Sequence, residues 1–270
     1  MSGLVGAVWL AKKEMKGGWL SYLLTLLFVV FMGLLAVASL SGIFELEGFG
    51  AWGQRMEAYC NAFFLDYLFL TVCALLGVYT VFRGRASLLH SSWEFWREIS
   101  TSRKLLILKG LPVPAGSLVG SRLISMLFVL MVNAVAFVVP VFLLSDLREL
   151  GTSYLWFAGI WIGYALATSG LYLLLELTLR SDRVHTLFSF GLATSLIVVV
   201  LLIEWMLEPS LVENTAKLAQ SHYGALLAIL SILVGGTALM LLSRLTARRI
   251  EKRDLSRGLS KDLSSRRVVL

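Results

Sequence analysis

Few side chains in this chain of 270 residues have the type and spacing needed to make or break bonds. His90, His185 and His222 all fall between apolar runs, with no paired carboxylates or cysteines beside them, which argues against an intramembrane metalloenzyme. No G-x-x-x-x-G-K-[S/T] occurs, so the chain has no loop to cradle a nucleotide phosphate. Cys73 sits inside an apolar run, ~20 Å along a helix from Cys60, so the two thiols define no disulfide framework. The one dense cluster of functional groups is cationic. Arg83, Arg85, Arg97, Arg103, Lys104, Lys109 and Arg122 face only Glu94 and Glu98 in the segment 83–122. The chemistry such a segment supports is recognition rather than bond-making.

This segment also carries structure signals. Ser91-Ser92-Trp93-Glu94 has the Ser-x-x-Glu form of a capping box, which predicts a helix from about Ser92 bearing Trp93, Trp96, Arg97 and Glu98; Pro112 and Pro114 end it. Trp and Arg are the types enriched in interface hot spots, and Trp also concentrates in the headgroup belt of a membrane. The segment is read as a docking element for a cytoplasmic partner.

The elements around it are membrane helices. Hydrophobic residues make up 58% of the chain and charged ones 15%, with a mean hydropathy of +0.82, too apolar for a soluble globule of this size. A helix crossing ~30 Å of hydrocarbon needs about 20 apolar residues. Apolar runs approach that measure at about 19–40, 63–82, 123–144, 155–175, 187–203 and 224–242, charge-free except for Asp66 near one end of the second, and the fifth is the shortest. The expected fold is therefore a single all-α transmembrane domain over 1–270 with six spans. A short basic helix over 2–16, with Leu4, Val8, Ala11 and Met15 on one stripe, precedes them and suits the membrane interface. The run from Trp19 to Leu40 exceeds the ~7–15 residues of a signal-peptide core and reads as an uncleaved anchor.

Cation placement orients the chain. With the N-terminus inside, only Arg55, Arg148 and Lys217 of the 24 Lys and Arg residues fall outside, the positive-inside pattern, and both termini are cytoplasmic with a basic tail over 244–270. Topology thus accounts for the net charge of +7 without nucleic-acid binding.

Within the spans, Asn133 and Pro140 are candidates for the transport path or a pivot, since a proline frees the carbonyl one turn earlier, here that of Ala136. Gly159-Ile160-Trp161-Ile162-Gly163 is a G-x-x-x-G whose small face allows close helix approach, within the subunit or between two copies. Asp66 and Glu204 read as structural or rim residues, and Glu176 as the partner of Arg180 at helical spacing. Leu211 to Tyr223 is too polar to cross the bilayer and reads as a short helix at the outer rim.

The order of these features resembles the permease subunits of bacterial ABC exporters of the ABC-2 type. The resemblance rests on Leu10-Ala11-Lys12-Lys13-Glu14-Met15-Lys16 before the first span, on Trp96-Arg97-Glu98, on Leu108-Lys109-Gly110-Leu111-Pro112-Val113-Pro114, and on Gly120-Ser121-Arg122. Pro114 stands where that family usually has Ser. The resemblance implies a non-catalytic subunit of the cell membrane that binds no cofactor itself. ATP and Mg would be used by a separate cytoplasmic ATP-binding cassette ATPase. A second permease, identical or a paralogue, would complete the complex in the lipid bilayer. It assigns coupling to Trp93, Trp96, Arg97, Glu98, Lys104, Pro112 and Pro114. The apolar spans suit a hydrophobic or amphipathic cargo. A six-span channel or membrane scaffold without ATP coupling is the alternative; a channel should show a ring of pore-lining polar residues, and none is evident.

Overall fold

In the computed structural model, residues 3–17, 19–40, 50–77, 114–178, 198 and 210–252 are described. They form seven α-helices and one 3-10 turn, with no strand among them. The helices are α1 (Gly3–Gly17), α2 (Trp19–Leu40), α3 (Gly50–Leu75), α4 (Ala115–Leu144), α5 (Ser153–Thr178), α6 (Leu211–Gln220) and α7 (Gly224–Lys252), and a 3-10 turn at Asp146–Leu150 joins α4 to α5. Four are long and apolar enough to cross a membrane: α2 from Tyr22, α4, α5 and α7. They correspond to the expected runs at 19–40, 123–144, 155–175 and 224–242. The expected span 63–82 is represented by the apolar part of α3, Asn61–Leu75, followed by a turn at Leu76 and Gly77; 78–82 lies outside the described residues, as does the run at 187–203 apart from Val198. The expected coupling helix and the basic tail beyond Lys252 also lie outside them.

Four helices run past the expected apolar stretches: α3 begins at Gly50 and takes in Arg55 and Glu57, α5 reaches Thr178 beyond Glu176, and α4 and α7 are extended as well. α4 begins at Ala115, directly after Pro114, whose φ of −63° and ψ of 142° are extended. A proline and the residue before it resist helical geometry, whereas an arginine does not, so Pro114 and not Arg122 sets the start of the helix. The 30 residues of α4 measure ~45 Å, against ~30 Å of hydrocarbon, so one or both ends project into the interface. α7 likewise continues to Lys252, with Arg249 and Lys252 in the last turn, where cations complement the helix dipole.

The chain is sorted inside out relative to a soluble globule. Leu23, Leu27 and Phe31 of α2, Phe128, Met131 and Val135 of α4, and Leu226, Leu230 and Leu233 of α7 are exposed, while Asp66, Arg122, Ser125, Asn133, Ser169 and Thr246 are buried. Water would penalise both arrangements; a bilayer favours both, since it solvates apolar side chains and drives polar ones into the bundle. The shape is that of a multi-pass membrane protein.

The core is centred on Phe69 of α3. Its ring lies 5.2 Å from Phe137 of α4 and 5.9 Å from Phe157 of α5, both edge-on, and 5.2 Å from the tilted ring of Trp161. Such aromatic pairs contribute about 0.5–1.5 kcal/mol each beyond simple contact. Around this centre α1 and α2 pack on α4, and α5 packs along the length of α7. At the α4–α5 corner, Ser145 Oγ donates to the Val141 carbonyl at 2.5 Å and accepts from Leu147 N–H at 3.3 Å, and Gly151 turns the chain with φ of +55°.

Candidate functional site

The bundle has two polar ends and a small-residue seam, and each places residues that the sequence singles out. At one end Arg122 of α4 and Glu176 of α5 form an ion pair, Nη2 to Oε1 at 3.5 Å, with side chains 9% and 14% exposed. Glu176 therefore meets Arg122, 54 positions away in sequence (176 minus 122), rather than only the neighbour at helical spacing; Arg180 lies outside the described residues. Removing one member of a buried pair leaves an uncompensated charge, so α4 and α5 are bound together here by more than contact. α1 covers the same part of α4. A methyl on Gly120 would lie 3.3 Å from Ala7 Cβ, and one on Gly6 would lie 3.9 Å from Ser117 Oγ, so small residues set the closeness of the two helices. Pro114 caps the start of α4 through its carbonyl, which accepts from Ser117 N–H at 3.0 Å and Leu118 N–H at 3.3 Å.

At the other end Asp66 is fully buried on α3. Its carboxylate accepts the backbone N–H of Leu211 at 2.5 Å and of Val212 at 2.9 Å. Ser210 Oγ accepts from Glu213 N–H at 3.2 Å, and its carbonyl accepts from Asn214 N–H at 2.9 Å. Every one of the first four N–H groups of α6 thus has a partner, which is the requirement for ending a helix away from bulk water. The positive end of the helix dipole also meets a carboxylate. Asp66, read from the sequence as a structural or rim residue, is buried and holds the start of α6. Ser210-Leu211-Val212-Glu213 has the Ser-x-x-Glu spacing of a capping box, a signal that predicts the start of this helix at Leu211.

Asn133 lies between these ends, buried, and its Nδ2 donates to the Leu76 carbonyl at 2.9 Å. It holds the turn that follows α3, since that carbonyl lies beyond the helical ladder and needs a donor. Pro140 falls within α4, which continues through it; near it Tyr154 Oη donates to the Val138 carbonyl at 2.7 Å.

Gly159 and Gly163 face α7. A methyl on Gly159 would stand 3.0 Å from Ala228 Cβ, and one on Gly163 would overlap the backbone of Ser231. The approach is reciprocal, since a methyl on Gly235 would overlap the Gly163 carbonyl. Ser231 Oγ donates to the Ile160 carbonyl at 2.9 Å and closes the seam with a hydrogen bond between helices. The G-x-x-x-G face is thus filled from within the chain.

Trp93, Trp96, Arg97, Glu98, Lys104 and Pro112 lie outside the described residues. Among the described residues no group of three His, Cys, Asp or Glu side chains could hold a metal ion. No family model, no curated protein and no solved structure matches the chain.

Proposed function

We propose that this chain is the membrane-spanning permease subunit of an ATP-binding cassette exporter of the ABC-2 type. In this proposal it forms the translocation path with a second permease and is driven by ATP and Mg at a separate cytoplasmic ATPase. The Arg122 end of the bundle faces the cytoplasm and the Asp66 end faces outward. The observation that carries the proposal is the junction at Pro114. The basic segment 83–113 directly precedes Pro114 and α4 in sequence, and the first turns of α4 are clasped by α1 and tied to α5 by Arg122 and Glu176. A load applied to that segment would be delivered to three helices at once, as coupling to a motor requires. Phe69 would pass it on to α3, since its ring touches α4 and α5 together.

Co-purification tests the proposal. The full chain with Trp96→Ala and Arg97→Ala together should lose its ATPase, because truncating a central aromatic or Arg hot spot costs about 2 kcal/mol or more, roughly thirtyfold in affinity. Arg266→Ala in the basic tail should retain it. A double variant that keeps its ATPase and transports normally would leave the loop without the coupling role, and a chain that never captures an ATPase would favour the channel or scaffold.

A further inference from the structure

α1 has a second, exposed face turned away from α4. Ala7 and Ala11 are buried and point the helix at α4, while Val5, Val8, Trp9, Lys12 and Lys16 share an exposed stripe at spacings of three and four residues. The stripe is graded along the helix: apolar and aromatic in its first half, cationic in its second. Neither Lys12 nor Lys16 forms an ion pair with a described residue. α2 then begins at Trp19, 63% exposed, and continues outward with Leu23, Leu27 and Phe31. Because α2 is long and apolar enough to cross the membrane from its first turns, α1 is held at the depth where hydrocarbon gives way to headgroups.

We infer that the Val5, Val8, Trp9, Lys12 and Lys16 stripe of α1 is a docking site for anionic phospholipids, with phosphate at the lysines and acyl chains against the valines and Trp9. Charge complementarity selects this occupant. Lys is a compact, hydrated point charge on a flexible stem, suited to a fluid phosphate layer and able to reach it from beside apolar surface. A protein interface favours instead a desolvated aromatic and Arg centre. The small-residue contact with α4 prevents α1 from rolling, so the stripe stays turned toward the lipid. The site stands independently of the transport proposal, since it needs only a membrane. It also gives lipid composition a route to α4, through the Gly120 and Ala7 contact.

The test uses the full-length protein in mild detergent, titrated with phosphatidylglycerol or phosphatidylcholine, with bound lipids counted by intact-complex mass measurement. Each Lys near an anionic surface contributes about fivefold, so the wild-type chain should prefer phosphatidylglycerol by roughly twentyfold, a preference that erodes at about 0.5 M salt. Lys12→Gln with Lys16→Gln should abolish it. Arg248→Gln with Arg249→Gln, at exposed positions on α7, should not. Trp9→Ala should weaken retention of both lipids alike. The inference is overturned if the lysine variant keeps the preference, if the α7 variant loses it equally, or if the lysine variant instead sheds a protein subunit or second copy at unchanged lipid count.

Discussion

Asp66 on α3 and Val212 on α6 are 146 positions apart in sequence and meet at 2.9 Å, carboxylate to backbone N–H. The contact answers two physical problems together. A carboxylate within an apolar bundle needs donors, and the first turn of a short helix needs acceptors. Val212, Ala216 and Ala219 then seat the helix on the bundle through one face. At ten residues α6 is too short to be stable alone, so its position depends on that anchor and on the Ser210 cap.

Replacing Asp66 by Asn should therefore loosen α6 without unfolding the bundle. One oxygen becomes an amide donor facing a backbone donor, and charge-assisted hydrogen bonds of this kind contribute about 1.5–3 kcal/mol. The expected outcome is a loss of that size in stability and faster amide exchange over Leu211–Gln220, with exchange in α4 unchanged. Uniform loosening of every helix would show that Asp66 supports the core and not α6.

The contact between α5 and α7 separates two adjacent glycines. Gly235→Ala should be destabilising by about 1–3 kcal/mol, because the added methyl overlaps the Gly163 carbonyl. Gly236→Ala meets nothing within 4 Å and should be neutral or stabilising by up to about 1 kcal/mol, as Ala is the better helix former. Detergent unfolding of the two variants checks the pair. Equal effects would mean that helix propensity and not helix approach governs the site.

What could be read from the sequence follows the range of each interaction. The apolar runs that become α2, α4, α5 and α7 are local properties of composition, and so the all-helical, membrane-spanning class is legible. The helix ends are less so, because a charge-free count marks the hydrocarbon boundary; Arg122 lies well inside α4, and Pro114 is the true stop. The G-x-x-x-G pattern announces a small face but carries no information on its partner, which is Ser231 and Gly235. Asp66 is visible as an unusual charge, yet its role depends on a backbone 146 positions away. The start of α6 was locally legible in Ser210-x-x-Glu213; its mooring was not.

Arg122 and Glu176 permit a charge test of the α4–α5 junction. Arg122→Gln or Glu176→Gln alone leaves one buried charge and should cost about 3–5 kcal/mol, whereas the double substitution should recover most of the loss. The resulting coupling energy isolates the pair from the other contacts of each side chain. Additive losses would show that the two charges are held by other groups and that the junction is not an ionic clasp.

Membrane orientation is open to direct labelling, and the coupling proposal depends on it. With Cys60 replaced by Ser, the remaining thiol, Cys73, is 1% exposed and should stay silent to a membrane-impermeant maleimide in intact cells. Single cysteines at Ser102 and Ser260 should then be shielded until the cells are opened. Cysteines at Gly48 and Ser221 should react at once; Ser221 lies exposed in the turn between α6 and α7. The pattern follows from the cations, since a topology that exported the tail would carry Arg244, Arg248, Arg249 and Lys252 outward against the bias that retains such residues. Labelling at Ser260 in intact cells would reverse the bundle, turn the segment 83–122 away from any cytoplasmic ATPase and remove the coupling proposal. The α1 stripe would then face the opposite leaflet, and its phosphatidylglycerol preference would still be measurable.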